Sequence, residues 1–320
     1  MDLAIIDPTT TVAITADLAT RVADYSRAAV APSTRRAYRT AWKRFECWCH
    51  ARGLRALPAE PAVVAAFIAD RAGAAKVSTL NVTVAAIRYG HVLGGFEPPT
   101  KSKEVATVMA GIRRVHSVRP AKKAALLVRD LRAGLDHLGD DLRGRRDRAL
   151  LLVGFAAGLR RSEVVGLDVE DLAFEASGVA ITITRSKTDQ EGEGRVIGLE
   201  YGSGSGTCPV VALRRWLAAS GIQTGPMFRA IDRNGHVRSR RLSDRTVARL
   251  VKRLGQSVGL DPATLGGHSL RSGFVTSAAM SGVPEAEIQA TSGHRSLVTL
   301  RGYIRRASLF ETSAVQRLGL

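Results

Sequence analysis

Apolar residues recur at three- and four-residue steps over most of the first 115 positions, the period of an α-helix with one buried face. The pattern predicts helices over residues 17–30, 33–52, 59–72, 78–93 and 102–115, separated by turns that contain Gly and Pro. Ser33, after the break at Ala31-Pro32, is placed as the N-cap of the second of these. In that helix Tyr38, Ala41, Trp42, Phe45 and Cys49 form the apolar stripe, and Arg35, Arg36, Arg39 and Lys43 occupy the other side. No strand pattern occurs in this half, so residues 17–117 read as an all-helical bundle. Residues 1–16 lack helical periodicity and read as a tail, and residues 118–124, with Pro120 and basic neighbours, read as a linker.

The pattern changes in the second half, residues 125–320. Helical periodicity covers 128–138 and 141–157 and stops at Gly158-Leu159. Val179, Ile181 and Ile183 then alternate with Ala180, Thr182 and Thr184, which predicts a strand, and residues 195–199 predict its hairpin partner. A helix over 243–258 carries two stripes. One is apolar, with Val247, Leu250, Val251, Leu254 and Val258; the other is basic, with Arg245, Arg249, Lys252 and Arg253. Residues 308–320 are weakly amphipathic. The expected fold is mainly α, a helical bundle followed by a mostly helical domain with a small antiparallel hairpin.

Composition adds the partner. Forty-seven Lys and Arg against 29 Asp and Glu give a net charge of +18, which favours a polyanion. Residues 1–120 contribute +8 and residues 121–320 contribute +10, so both halves are expected to touch it. The first ten residues carry acid where a secretory signal carries base, and the three cysteines cannot all pair, so a cytoplasmic, reducing setting is expected. Cys47, Cys49 and His50 lack a second cluster to complete a zinc site. Asp168, Glu170 and Asp171 are neighbours along one segment and diverge rather than converge on a metal pair, so they read as turn residues. No metal or nucleotide cofactor is expected.

The candidate chemistry is concentrated between His268 and Arg306. His268 and Arg271 stand three apart and share a helix face; His294 follows, and Tyr303 comes nine residues later. An arginine can hold an anion while a histidine handles a proton and a tyrosine hydroxyl attacks. Earlier, Arg160 follows Gly158-Leu159 directly, with Glu163 one turn on. Taken as bare sequence, Arg160 and Glu163 could equally be a surface ion pair worth a few tenths of a kcal/mol. Lys187, on the hairpin, is the one lysine between Lys123 and Lys252. Tyr201 is the other tyrosine considered as nucleophile, but it lies in a Gly/Ser-rich loop without His or Arg beside it.

These boxes, H-x-x-R at His268 and Arg271, Gly293-His294, Tyr303, and Arg160 after a Gly-Leu pair with Glu163 three positions on, resemble the tyrosine recombinase (phage integrase) family. The resemblance implies a helical core-DNA-binding domain ahead of a catalytic domain. It implies that Tyr303 attacks a scissile phosphate to leave a 3′-phosphotyrosine, that Arg160 and Arg271 clamp the phosphate, and that His268 takes or shares the nucleophile's proton. His294 would hydrogen-bond a phosphate oxygen, Lys187 would protonate the leaving 5′ oxygen, and Glu163 would steady a neighbouring group. Arg35, Arg36, Arg39, Lys43, Arg245, Arg249, Lys252 and Arg253 are the DNA-contact candidates. The segment from Ser308 to Leu320 would dock on a neighbouring protomer in a tetramer assembled on double-stranded DNA with inverted-repeat sites. The short tail implies a Cre-like or Xer-like layout without an arm-binding domain. A type IB topoisomerase-like relaxing enzyme shares the chemistry, and a non-catalytic DNA-binding regulator could share the fold.

Overall fold

A computed structural model describes residues 17, 18, 20, 21, 24, 25, 29–116, 123–184 and 194–307, with side chains given as far as Tyr303. The tail expected over 1–16, Lys187, most of the expected linker and the segment from Ser308 to Leu320 lie outside the described residues. The chain forms two compact units that divide between Pro120 and Ala121.

In the first unit, the helices α1 (Pro32–His50), α2 (Pro61–Arg71), α3 (Val77–Leu93) and α4 (Lys103–His116), among the described residues, pack around an apolar core that includes Phe45 and Phe67. The stripe expected on α1 is buried at Ala41, Phe45 and Cys49, at four-residue steps. Ser33 is not its N-cap: the helix begins one residue earlier, with Pro32 in the first turn and Ala31 as cap. Proline suits that position because its φ is already helical and its missing N–H would have had no partner. Phe45 lies against Phe67 at 5.1 Å between ring centroids. His91, completely buried, bridges two segments: Nδ1–H donates to Ile87 O (2.8 Å) and Nε2 accepts from Ala59 N–H (2.9 Å). On the outer side of α1, Arg36, Arg39 and Lys43 are exposed and Arg35 is half-buried.

The second unit is built around α6 (Leu142–Ala156), whose residues from Ala149 to Phe155 are all buried. Over that stretch the helix is enclosed on every side and carries no polar stripe. Asp141 caps it by accepting from Gly144 N–H at 2.7 Å. Around it lie α5 (Val128–Leu135), α7 (Arg161–Gly166), α8 (Pro209–Ser220), α9 (Asp244–Ser257) and α10 (Ser269–Met280), followed by α11 (Glu285–Ser292) and α12 (Leu297–Ala307). The expected hairpin is present as part of a three-stranded antiparallel sheet, with β1 (Leu172–Phe174) pairing with β2 (Gly178–Ile183) and β2 with β3 (Arg195–Glu200). Ile181 faces Ile197 in the register, so the apolar positions of both strands meet the core. A second hairpin, β4 (Arg229–Ile231) and β5 (Val237–Arg241), and the helix α8 were not expected from the pattern.

Several charged residues serve this scaffold. Buried Asp147 is held between Arg146 (2.6 Å) and Arg253 (2.8 Å), so one guanidinium of the basic stripe on α9 spans back to α6. Asp168 pairs with Arg241 at 2.6 Å, and Glu170 accepts from Gly225 N–H at 2.9 Å. These carboxylates close turns, as expected for the acidic run. Lys123 and Ala124, at the end of the expected linker, bond to Ala263 and Thr264 and so join the second unit. Among the described residues no helix is long and apolar enough to cross a membrane.

Candidate active site

Four elements of the second unit deliver polar side chains to one place: the turn before α7, the start of β3, the N-terminal half of α10, and the run from the end of α11 into α12. The left-handed backbone at Gly158 (φ 56°) ends α6 and turns the chain, so that Arg160 stands in extended conformation as the N-cap of α7. Glu163, on the first turn of that helix, is 4 % exposed. Its Oε2 accepts from Arg160 N–H at 3.0 Å, and its Oε1 takes a charged bond from Arg160 Nη1. Fixing the arginine at both its backbone and its fork sets where the guanidinium points. Arg161, the neighbouring alternative, pairs instead with Asp244 at 3.2 Å.

Arg271 is 1 % exposed. Its Nη1 donates to Gly158 O at 2.8 Å and to Ser292 O, while the buried Nη2 has no hydrogen-bond partner among the described residues. An unpaired buried guanidinium nitrogen is costly, and a site that receives an anion satisfies it. Burial first, then Arg160 and Arg195, brings the Arg271 pKa down to about 10, against the opposing pull of Glu163.

His268 and Tyr303 meet directly: Nε2 and the phenolic oxygen are 2.8 Å apart. Desolvation, then Arg271 and Arg160, lowers the His268 pKa below its ordinary value. Burial raises that of Tyr303, with Arg271 opposing. At neutral pH both shifts favour a neutral imidazole and a protonated phenol, with the two atoms within hydrogen-bond distance. A neutral imidazole against a hydroxyl is an arrangement that suits general-base activation of a nucleophile. The His294 ring stands 6.1 Å from the Tyr303 ring, centroid to centroid. It is 9 % exposed, and burial beside Arg271, Arg160, His268 and Arg195 lowers its pKa to about 3.

The structure thus brings Arg160, Glu163, His268, Arg271, His294 and Tyr303 together, and Lys187 falls outside the described residues. Tyr201 lies just past β3, exposed. Two residues that sequence reasoning missed belong here. Arg195 opens β3 and donates to Ser292 O at 2.8 Å, with Nη2 3.4 Å from Glu163 Oε2; its buried Nε has no partner among the described residues. Its guanidinium fills the space over Gly293, where an added Cβ would lie 1.3 Å from Nη1 and where φ is 63°. A signal existed: Arg195 is in phase with Ile197 and Leu199, the buried face of its strand. Ser292 is completely buried and gave no signal. Arg36, Arg39, Lys43, Arg245, Arg249, Lys252 and Arg253 are exposed on α1 and α9.

Known proteins resemble this chain in sequence and in fold. Residues 129–308 match the model of the Phage integrase family. An integrase/recombinase xerD homolog of Selenomonas ruminantium is 37% identical over 292 residues, covering 90% of this chain and 86% of that protein. A tyrosine recombinase XerA of Pyrococcus horikoshii is 31% identical over 175 residues, 55% of each chain. Among solved structures, a lambda integrase dimer bound to a COC′ core site shares the fold with a TM-score of 0.58 at 15% identity, covering 90% of this chain and 77% of that one. The XerH site-specific recombinase bound to palindromic difH substrate, in a post-cleavage complex, aligns with a TM-score of 0.55 at 19% identity, covering 79% and 73%.

Proposed function

The chain belongs to the phage integrase family and is a tyrosine-type site-specific recombinase, and we propose that Tyr303 is its nucleophile, working on DNA held by the arginines described above. The observation that carries this reading is the 2.8 Å contact between Tyr303 Oη and His268 Nε2, which gives the phenol its base. Tyr303 Oη attacks the scissile phosphorus as its proton passes to His268, and the bond to the 5′ oxygen breaks. The products are a 3′-phosphotyrosine and a 5′-hydroxyl, with Lys187 supplying the proton to the leaving oxygen. Arg160 and the unpartnered Nη2 of Arg271 neutralise the non-bridging oxygens, a role in which one lost donor costs about a hundredfold in rate. The covalent bond conserves the phosphodiester, so rejoining reverses the same steps with a new 5′-hydroxyl. Because Tyr303 bonds to His268 of its own chain, attack in cis is favoured.

Binding to double-stranded DNA rests on the exposed guanidinium and ammonium groups of α1 and α9, which suit phosphate contacts and, on α9, base edges. Assembly as a tetramer on inverted-repeat sites, with the segment from Ser308 to Leu320 reaching a neighbour, completes the reading. The test is a plasmid carrying two copies of a footprinted site around a marker. Deletion or inversion of the marker supports a recombinase. Relaxation of a site-free plasmid at the same rate, without exchange, would favour the topoisomerase-like alternative.

A further inference from the structure

Every polar atom of the Ser292 carbonyl and hydroxyl serves the site. The carbonyl at the end of α11 accepts from Arg271 Nη1 and from Arg195 Nη1. The hydroxyl lies 2.5 Å from Ile288 O and 2.7 Å from His294 Nδ1. A serine hydroxyl has one proton. Ile288 O can only accept, so the proton goes there, and Nδ1 must in turn donate to Ser292 Oγ. From this chain of bonds we infer that Ser292 is a positioning residue that locks His294 as its Nδ1–H tautomer, so that Nε2 donates to a phosphate oxygen only after the ring takes up a second proton. The inference deepens the proposed recombinase reading and rests on it for the phosphate; the tautomer itself rests on the Ser292 bonds alone.

The surroundings decide when that proton arrives. His294 faces Arg271 from α10, His268 from the N-cap of that helix, Arg160 from the turn before α7, Arg195 from β3 and Tyr303 from α12, with Glu163 behind Arg160 and Arg195. In the free protein these cations and burial keep the ring neutral, and Nε2 carries a lone pair. A DNA phosphate set between the guanidinium groups brings a negative charge to the same space and reverses the balance. The proton comes from solvent. His294 then becomes a donor when a phosphate fills the site and withholds that hydrogen bond from an empty one.

Ring-15N-histidine labelling of the full chain tests this, with the His294 signals assigned by their loss in His294→Gln. In the free protein at neutral pH, Nδ1 should show the pyrrole-type shift and Nε2 the pyridine-type shift; the reverse pattern overturns the inference. Ser292→Ala removes the acceptor, and the Nε2–H form should then be populated. In single-turnover cleavage of nicked DNA, wild type should lose about tenfold in rate per pH unit above the pKa of phosphate-bound His294. Ser292→Ala should be flatter over that range, because a neutral ring can now donate, and a melting curve checks that it is folded. An alkaline limb identical in both proteins overturns the inference. If Ser292→Ala does not fold, the wild-type shifts decide the question alone. A wild-type chain that forms no covalent adduct defeats the recombinase reading and leaves the tautomer to those shifts.

Discussion

Tyr303 Oη and His268 Nε2 are 2.8 Å apart although 35 residues separate them in the chain, and this contact pairs a protonated phenol with a neutral imidazole. Replacing His268 with Gln keeps a hydrogen-bonding side chain but removes the base. Single-turnover cleavage should slow by about 10²- to 10⁴-fold, while DNA affinity stays at the wild-type value. The wild-type rate should rise with pH through the lowered His268 pKa and level off near neutrality, and His268→Gln should lose that acid limb.

Glu163 stands under two guanidinium groups with its side chain 1% exposed. Glu163→Ala leaves Arg160 and Arg195 without their anion, and breaking a buried pair in this way costs about 3–5 kcal/mol. The urea midpoint of the second unit should fall accordingly. Glu163→Gln, which can still accept from Arg160 N–H, should fall less.

Arg195 joins Ser292 O to Glu163 through one planar fork. Arg195→Lys keeps the charge but cannot reach both partners with the same geometry. Cleavage should drop by about a hundredfold, as for the loss of a fixed donor, and a gel-shift assay should show DNA binding intact.

His294 and His268 both have pKa values held below the ordinary histidine value, His294 at about 3. The unfolded chain takes up protons from about pH 6.5 downward that the folded chain refuses, so the free protein loses stability as pH falls below that point. The stabilisation is fully present above it. Thermal melts between pH 7 and pH 4 should show the decline in the second unit, and His294→Gln should flatten it.

The candidate boxes could be read because each is local: Arg160 and Glu163 share one helix turn, and His268 caps the helix that carries Arg271. The stripes of α1 and α9 were legible for the same reason, since a helix half-exposed to water writes its buried side at a period of 3.6. Ser292 acts through its backbone carbonyl and a hydroxyl that meets His294 only after α11 has turned at Gly293, and neither leaves a pattern. Arg195 was hidden differently. Its strand phase marks it as inward-facing, but its partners Glu163 and Ser292 come from elements 32 residues earlier and 97 later. The start of α1 was misplaced because Ser33 offers a capping hydroxyl where Pro32 had already begun the helix.

Covalent trapping on nicked DNA carrying the footprinted site, in which the cleaved end diffuses away, measures the nucleophile most directly. Wild type should form a protein–DNA adduct whose linked peptide contains Tyr303. Tyr303→Phe should bind the same DNA with unchanged affinity and form none. An adduct that survives Tyr303→Phe, or one mapped to Tyr201, would contradict the assignment.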